Sequence, residues 1–112
     1  MGMSIDIQTR KPNLFTNFGG LSGPAIKPIA LANVHKIYKA VNIPVIGIGG
    51  IAVVDDIIEF LLAGATLVQI GTMNYQNPNI GPELVKEFSQ YLSENGITLV
   101  SDLIGKVEYH SN

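Results

Sequence analysis

Four small residues at the ends of two apolar runs carry the strongest chemical signal in the chain. Gly49 and Gly50 follow Val45, Ile46 and Ile48; Gly71 and Thr72 follow Leu67, Val68 and Ile70. Glycine lets another group approach the backbone closely and adopts dihedrals that a Cβ would forbid. At equivalent ends of neighbouring strands, backbone amides, the Thr72 hydroxyl and a helical turn at Met73 to Tyr75 could surround a phosphate. The same glycines could instead serve only tight turns and close helix packing. Spacing by itself leaves both roles open. The run GIGG at 47–50 is not the dinucleotide fingerprint, because the third glycine and the later acidic residue are not in place.

The other candidates for chemistry are weaker. His35 falls beside the buried stripe of a helix and reads as a packing or surface residue, and His110 reads as solvated. Asp55 and Asp56 are adjacent, so they do not face one another as an acid and base would; they read as helix capping. Ser22 has flanking glycines nearby but no preceding strand and no identifiable base, which argues against a nucleophile. Phe18 and Tyr75 could stack on a planar ligand, and an ordinary core role is the simpler reading of each. No spacing of histidine and carboxylate suggests a metal site.

The elements that must hold these residues follow from periodicity. A nearly continuous apolar run at 45–48 implies a strand covered on both faces, with Pro44 tolerated at its start. A second strand is predicted within Ala65 to Thr72. A helix over Pro24 to Ala40 has proline at its first position and a stripe of Ile26, Ala30, Val34, Ile37 and Val41. A second helix spans Val53 to Ala63, with Gly64 as its C-cap. A third spans Pro82 to Glu94, with Leu84, Val85, Phe88, Tyr91 and Leu92 inward. Ser101 is expected to cap a short helix from Asp102 to Val107, and Tyr109 to Asn112 to fray. Met1 to Gly23 reads as an extended or loop segment. Helix, strand, helix, strand with short joints is the rhythm of a parallel α/β unit.

Composition narrows the class. Of 112 residues, 46% are apolar and only 14% charged, so part of the exterior is expected to be covered by other protein. A net charge of -2 with scattered basic residues gives no basis for binding nucleic acid. The absence of cysteine excludes a disulfide framework and fits a cytoplasmic chain. No apolar run approaches a membrane span, and Met1 to Asp6, neither basic nor followed by a hydrophobic segment, is not expected to be a secretory signal.

Taken in order, IDIQTRKP, GGLSGPAIKP, IPVIGIGGI and IGTMNY resemble the C-terminal part of a dihydroorotate dehydrogenase. The type resembled is the class 1 enzyme that works with an iron–sulfur flavoprotein partner and passes electrons to NAD. The resemblance covers nearly the whole chain and implies the last two strands and helices of an eight-stranded α/β (TIM) barrel. Residues 1–23 would be the loop leading in, and 24–112 the helix-strand units. It further implies one FMN at the C-terminal strand ends, and oxidation of (S)-dihydroorotate to orotate in pyrimidine biosynthesis.

Carried over residue by residue, the flavin-contacting glycine of the GGLSG loop falls on Gly23, the glycine pair on Gly49 and Gly50, and the phosphate-binding pair on Gly71 and Thr72. The family's lysine, its cysteine base and its orotate-binding asparagines belong to earlier strands, so no catalytic residue is expected here. Small departures are Thr16-Asn17-Phe18 before the glycine loop, Tyr75 where phenylalanine is usual, and Ala52-Val53-Val54 without a Ser or Thr cap. The expected behaviour is that of a part of a longer enzyme, or of copies that cover one another as a homo-oligomer. The alternative is a non-catalytic phosphate- or nucleotide-binding half-barrel.

Overall fold

The computed structural model describes residues 1–111; Asn112, the end of the tail expected to fray, lies outside the described residues. The first 23 residues are more ordered than a loop. Strands β1 (Ile5–Asp6) and β2 (Lys11–Pro12) form an antiparallel hairpin, and Gly2 and Gly19 exchange backbone hydrogen bonds of 2.6 and 2.9 Å. Asp6 builds the turn: its Oδ1 accepts the Gln8 amide at 2.8 Å, and its carbonyl accepts that of Arg10 at 2.7 Å. The bonds from Gln8 and Thr9 also hold the Asp6 carboxyl below its ordinary value. Hydrophobic residues on this arm, Ile7 and Phe15 among them, are exposed.

The expected helix over 24–40 is split. A 3-10 turn at Pro24–Ile26 precedes α1 (Lys27–Ala40). Pro28 explains the division. It has no N–H for the Pro24 carbonyl four residues back, so that carbonyl takes the Lys27 amide in the tighter pattern. Helix α2 (Val54–Ala63) lies along the Lys27, His35 and Tyr38 side of α1, and the end of the first parallel strand lies along Ile26 and Ala30. Val34 is consequently buried, whereas Ile37 and Val41 of the expected stripe remain exposed.

Strands β3 (Ile46–Ile48) and β4 (Leu67–Gln69) pair in parallel, with Ile46 opposite Leu67 and Ile48 opposite Gln69. Phe60 of α2 is fully buried beneath Gly47, where a Cβ would lie 2.6 Å from its ring. That contact accounts for Gly47. The opposite face is open: Ile46 is 50% and Ile48 53% exposed, which corrects the expectation of a strand covered on both faces.

Beyond β4 come α3 (Met73–Gln76) and α4 (Ile80–Glu94). Helix α4 begins before Pro82, because Asn77 accepts the Asn79 amide at 3.1 Å and donates to Glu83 at 2.7 Å. Leu84 is buried, while Val85 faces outward rather than in. The helix expected from Asp102 to Val107 is instead a 3-10 turn at Val100–Asp102, with Ser101 inside it rather than capping it. The following amides are otherwise engaged: Gly105 and Val107 donate to the Leu61 and Leu62 carbonyls at 2.9 and 3.1 Å. They bond carbonyls in the last turn of α2, that of Leu61 being shared with the Gly64 amide. Tyr109 is not frayed. Its hydroxyl bonds His35 Nε2, and Lys39 lies 5.8 Å from its ring centre.

Among the described residues there are two two-stranded sheets and four α-helices, and they do not close into a barrel. The accessible surface is 8235 Å². A compact monomer of this mass would expose about 6,000 Å². No helix among these residues is long and apolar enough to cross a membrane.

Candidate functional site

Three backbone segments meet at the C-terminal ends of β3 and β4: the loop ending in Ser22 and Gly23, the turn Gly49–Ile51, and the corner Gly71–Met73. They enclose a cleft of about 240 Å³. All five residues singled out in the sequence, Gly23, Gly49, Gly50, Gly71 and Thr72, line it. None of its lining residues is ionisable, so backbone amides and hydroxyls supply its polarity.

The glycines are there for different reasons. Gly50 has φ 77°, and a Cβ on it would meet the Lys27 amide nitrogen at 2.9 Å and the Gly23 carbonyl at 3.0 Å. Gly49 lies equally close to Ala30 and Ile26. Gly71 has nothing within 4 Å of where its Cβ would stand. At that corner the Gly71 carbonyl accepts the Asn74 amide at 3.0 Å and its side chain at 2.9 Å, and the Thr72 carbonyl accepts the Tyr75 amide at 3.0 Å. The carbonyls are thus occupied, while the amides of Gly71 and Thr72 have no acceptor among the described residues.

The start of α2 is closed to an anion by the chain itself. Val53, at the N-cap, has no side-chain acceptor. The carboxylate of Asp56 reaches back instead, and its Oδ2 accepts the amides of Ala52 and Val53 at 2.9 and 3.0 Å. Its Oδ1 accepts Lys27 Nζ at 2.6 Å, and the same ammonium reaches Glu59 at 2.7 Å. Burial pushes the Asp56 carboxyl up, but the Lys27 bond and the two amides outweigh it and hold the group below its ordinary value. Hydrogen bonds to Asp56, then Glu59, push the Lys27 ammonium up. Asp55 is exposed and makes none of these contacts, so the expected capping pair divides into one structural residue and one surface residue. A helix with valine at its N-cap and an acid three residues on was a legible sign of the Asp56 cap; the lysine, 29 positions away, had none.

The remaining candidates fall outside the cleft, apart from Ser22, which lines it with no histidine or carboxylate among its neighbours there. His35 packs as expected: Nδ1–H donates to the Ala63 carbonyl at 2.9 Å, so Nε2 accepts from Tyr109. Phe18 and Tyr75 are exposed, and neither has the core role expected of it. Among the described residues no group of histidine and carboxylate side chains could hold a metal ion.

Parallel strands whose ends frame a glycine-lined, uncharged cleft are the arrangement in which open α/β proteins place their ligands. The particular kind follows from comparison. The sequence profile of the dihydroorotate dehydrogenase family matches residues 1–92, and the chain belongs to that family. It is 53% identical over 107 residues to the catalytic subunit of dihydroorotate dehydrogenase B (NAD(+)) of Geobacter metallireducens, covering 96% of this chain and 35% of that one. The corresponding subunit of Desulforamulus reducens is 50% identical over 105 residues, covering 94% and 34%. The chain therefore spans about a third of the length of the curated relatives it matches. A crystal structure of DHODH from Eimeria tenella in complex with ferulenol superposes with a TM-score of 0.72 at 28% identity, over 94% of this chain and 29% of that one.

Proposed function

We propose that this chain is the FMN-phosphate-binding part of a dihydroorotate dehydrogenase of the NAD-linked, two-subunit type. In this reading its two parallel strands and their helices are the last two units of an eight-stranded barrel. The observation that carries it is the open side of Gly71 beside the bare amides of Gly71 and Thr72. Unpaired amides in a cleft with no cation suit a phosphate held by neutral donors. Gly49 and Gly50 would form the facing wall, and Gly23 would border the flavin.

FMN supplies the hydride acceptor for oxidation of (S)-dihydroorotate to orotate. The residues of this chain bind and orient the cofactor through amides and a hydroxyl; none is placed to move a proton. The partners are the remainder of the barrel, dihydroorotate and orotate, and an iron–sulfur flavoprotein subunit, in the cytoplasm. The apolar face left open by Ile46, Ile48 and Leu67 supports cover by further barrel strands or by a second copy of the chain.

Two measurements test this. Fluorescence titration with FMN is made on the chain and on a chimera in which it replaces the matching third of the Geobacter subunit. The chimera is expected to bind FMN and turn over dihydroorotate, while the chain alone gives no turnover with an artificial electron acceptor. A chimera that folds without binding FMN removes the cofactor reading, and saturable turnover by the chain alone removes the division of labour.

A further inference from the structure

Two of the three cleft segments are joined by side chains that never touch the cleft. Lys27 opens α1, directly after the turn that follows Gly23, and its backbone nitrogen lies against Gly50. Its ammonium crosses to Asp56 at 2.6 Å, and Asp56 holds the amides of Ala52 and Val53, which directly follow the Gly49–Ile51 turn. A chain of contacts therefore runs from the Gly23 loop through α1 to the glycine pair, with Asp56 almost wholly buried. Among the described residues the corner at Gly71 and Thr72 has no such side-chain tie to the other two segments. It is carried by the pairing of β4 with β3 and by the packing of Ile70 and Met73 on the core.

We propose that Lys27 and Asp56 are positioning residues for the FMN cleft, holding the Gly23 loop and the Gly49–Gly50 wall at the spacing the cofactor needs. This rests on the FMN reading of the cleft. The pair contributes no charge to the ligand, because Lys27 is shared between two carboxylates and neither it nor Asp56 lines the cavity. Its effect is to order the wall before binding, so that the cofactor does not have to.

The test is made in the chimera described above, with FMN as the probe. Lys27→Met is expected to weaken FMN binding about tenfold and to broaden the visible circular dichroism of the bound flavin, since a loosened wall must be ordered on binding. Lys27→Arg, which can still reach Asp56, is expected to restore binding to within about threefold of wild type. Lys36→Met, which removes an exposed charge from the same helix, is the control. A merely structural role would lower the melting temperature of the apoprotein and leave affinity and dichroism unchanged in the folded fraction; that result overturns the proposal, as does failure of arginine to rescue. If Lys27→Met does not fold, Lys27→Gln is read for the same two outcomes. Wild-type chimera that does not bind FMN overturns the cofactor reading itself, so the two failures are distinguishable.

Discussion

The two glycine corners that face one another across the cleft look alike in sequence and differ in structure. After β3, Gly49 and Gly50 have positive φ, and the places where their Cβ atoms would stand are crowded by Ile26, Lys27 and Ala30 and by the Gly23 carbonyl. After β4, Gly71 has an ordinary φ and empty space beside it. The first pair is required by the fold, whether or not anything binds. The second has no partner among the described residues that demands glycine, which is what the proposed phosphate site would require. A glycine at a strand end is evidence for a ligand only when the protein itself leaves the place of the Cβ vacant.

The sharpest way to break that contrast is Gly50→Val. A strained dihedral and overpacking against Lys27 cost roughly 1–3 kcal/mol each, so a loss of about 4 kcal/mol is expected in denaturant titration. A loss below about 1 kcal/mol would mean that the first corner is as free as the second.

Next in size is Asp56→Asn, which removes the carboxylate that ties the first corner down; about 2 kcal/mol is expected from weakened charged hydrogen bonds. Its pH dependence is specific. The folded carboxyl lies below the ordinary Asp value of about 3.9, so its contribution is complete above that pH and disappears as pH falls through the folded value. Lys27, raised when folded, contributes below about pH 10.4 and is lost only at more alkaline pH; this is the same pair, counted once. Wild type and Asp56→Asn should therefore converge in acid and differ by a constant amount near neutrality. Parallel curves down to low pH would deny the ion pair its role.

At the second corner, Gly71→Val should leave stability within about 0.5 kcal/mol and weaken FMN binding about tenfold, or about 1.4 kcal/mol. Paired melting and titration experiments read both values on one protein. A large loss of stability would show that the corner is not open. Smallest is Asp55→Ala, an exposed residue in the first turn of α2, which should cost about 0.5 kcal/mol through the helix dipole. Thermal melts beside Asp56→Asn test the separation of these two neighbours; equal effects would erase it.

Much of this was readable from residue order, and the remainder has identifiable causes. Apolar runs ending in glycine placed β3, β4 and the cleft, because strand composition and strand-end glycines are local signals. The break before Lys27 was also present in the sequence, but only in the count from Pro28 back to the Pro24 carbonyl. The Ile5–Pro12 hairpin depended on one Asp6 side chain closing a turn, a signal too short for periodicity to register. Exposure of Ile46, Ile48, Ile37 and Val85 was illegible in principle. An apolar stripe states what a residue prefers, while burial depends on whether a neighbour is present to meet it. Lys27 and Asp56 required a contact between helices 29 residues apart, which no window of local sequence contains.

The Asp56 cap also gives two turns of similar appearance different exchange with deuterated solvent. Amides at a helix start usually exchange freely, having no acceptor within the helix. Those of Ala52 and Val53 are held by a nearly buried carboxylate, so they should open only when α2 parts from α1. The Gly71 and Thr72 amides, on the other wall of the cleft, should exchange at the rate of an open loop until something with oxygen atoms covers them. Labelling with and without FMN would then register the cofactor at one corner and the helix–helix clasp at the other, within a single peptide map.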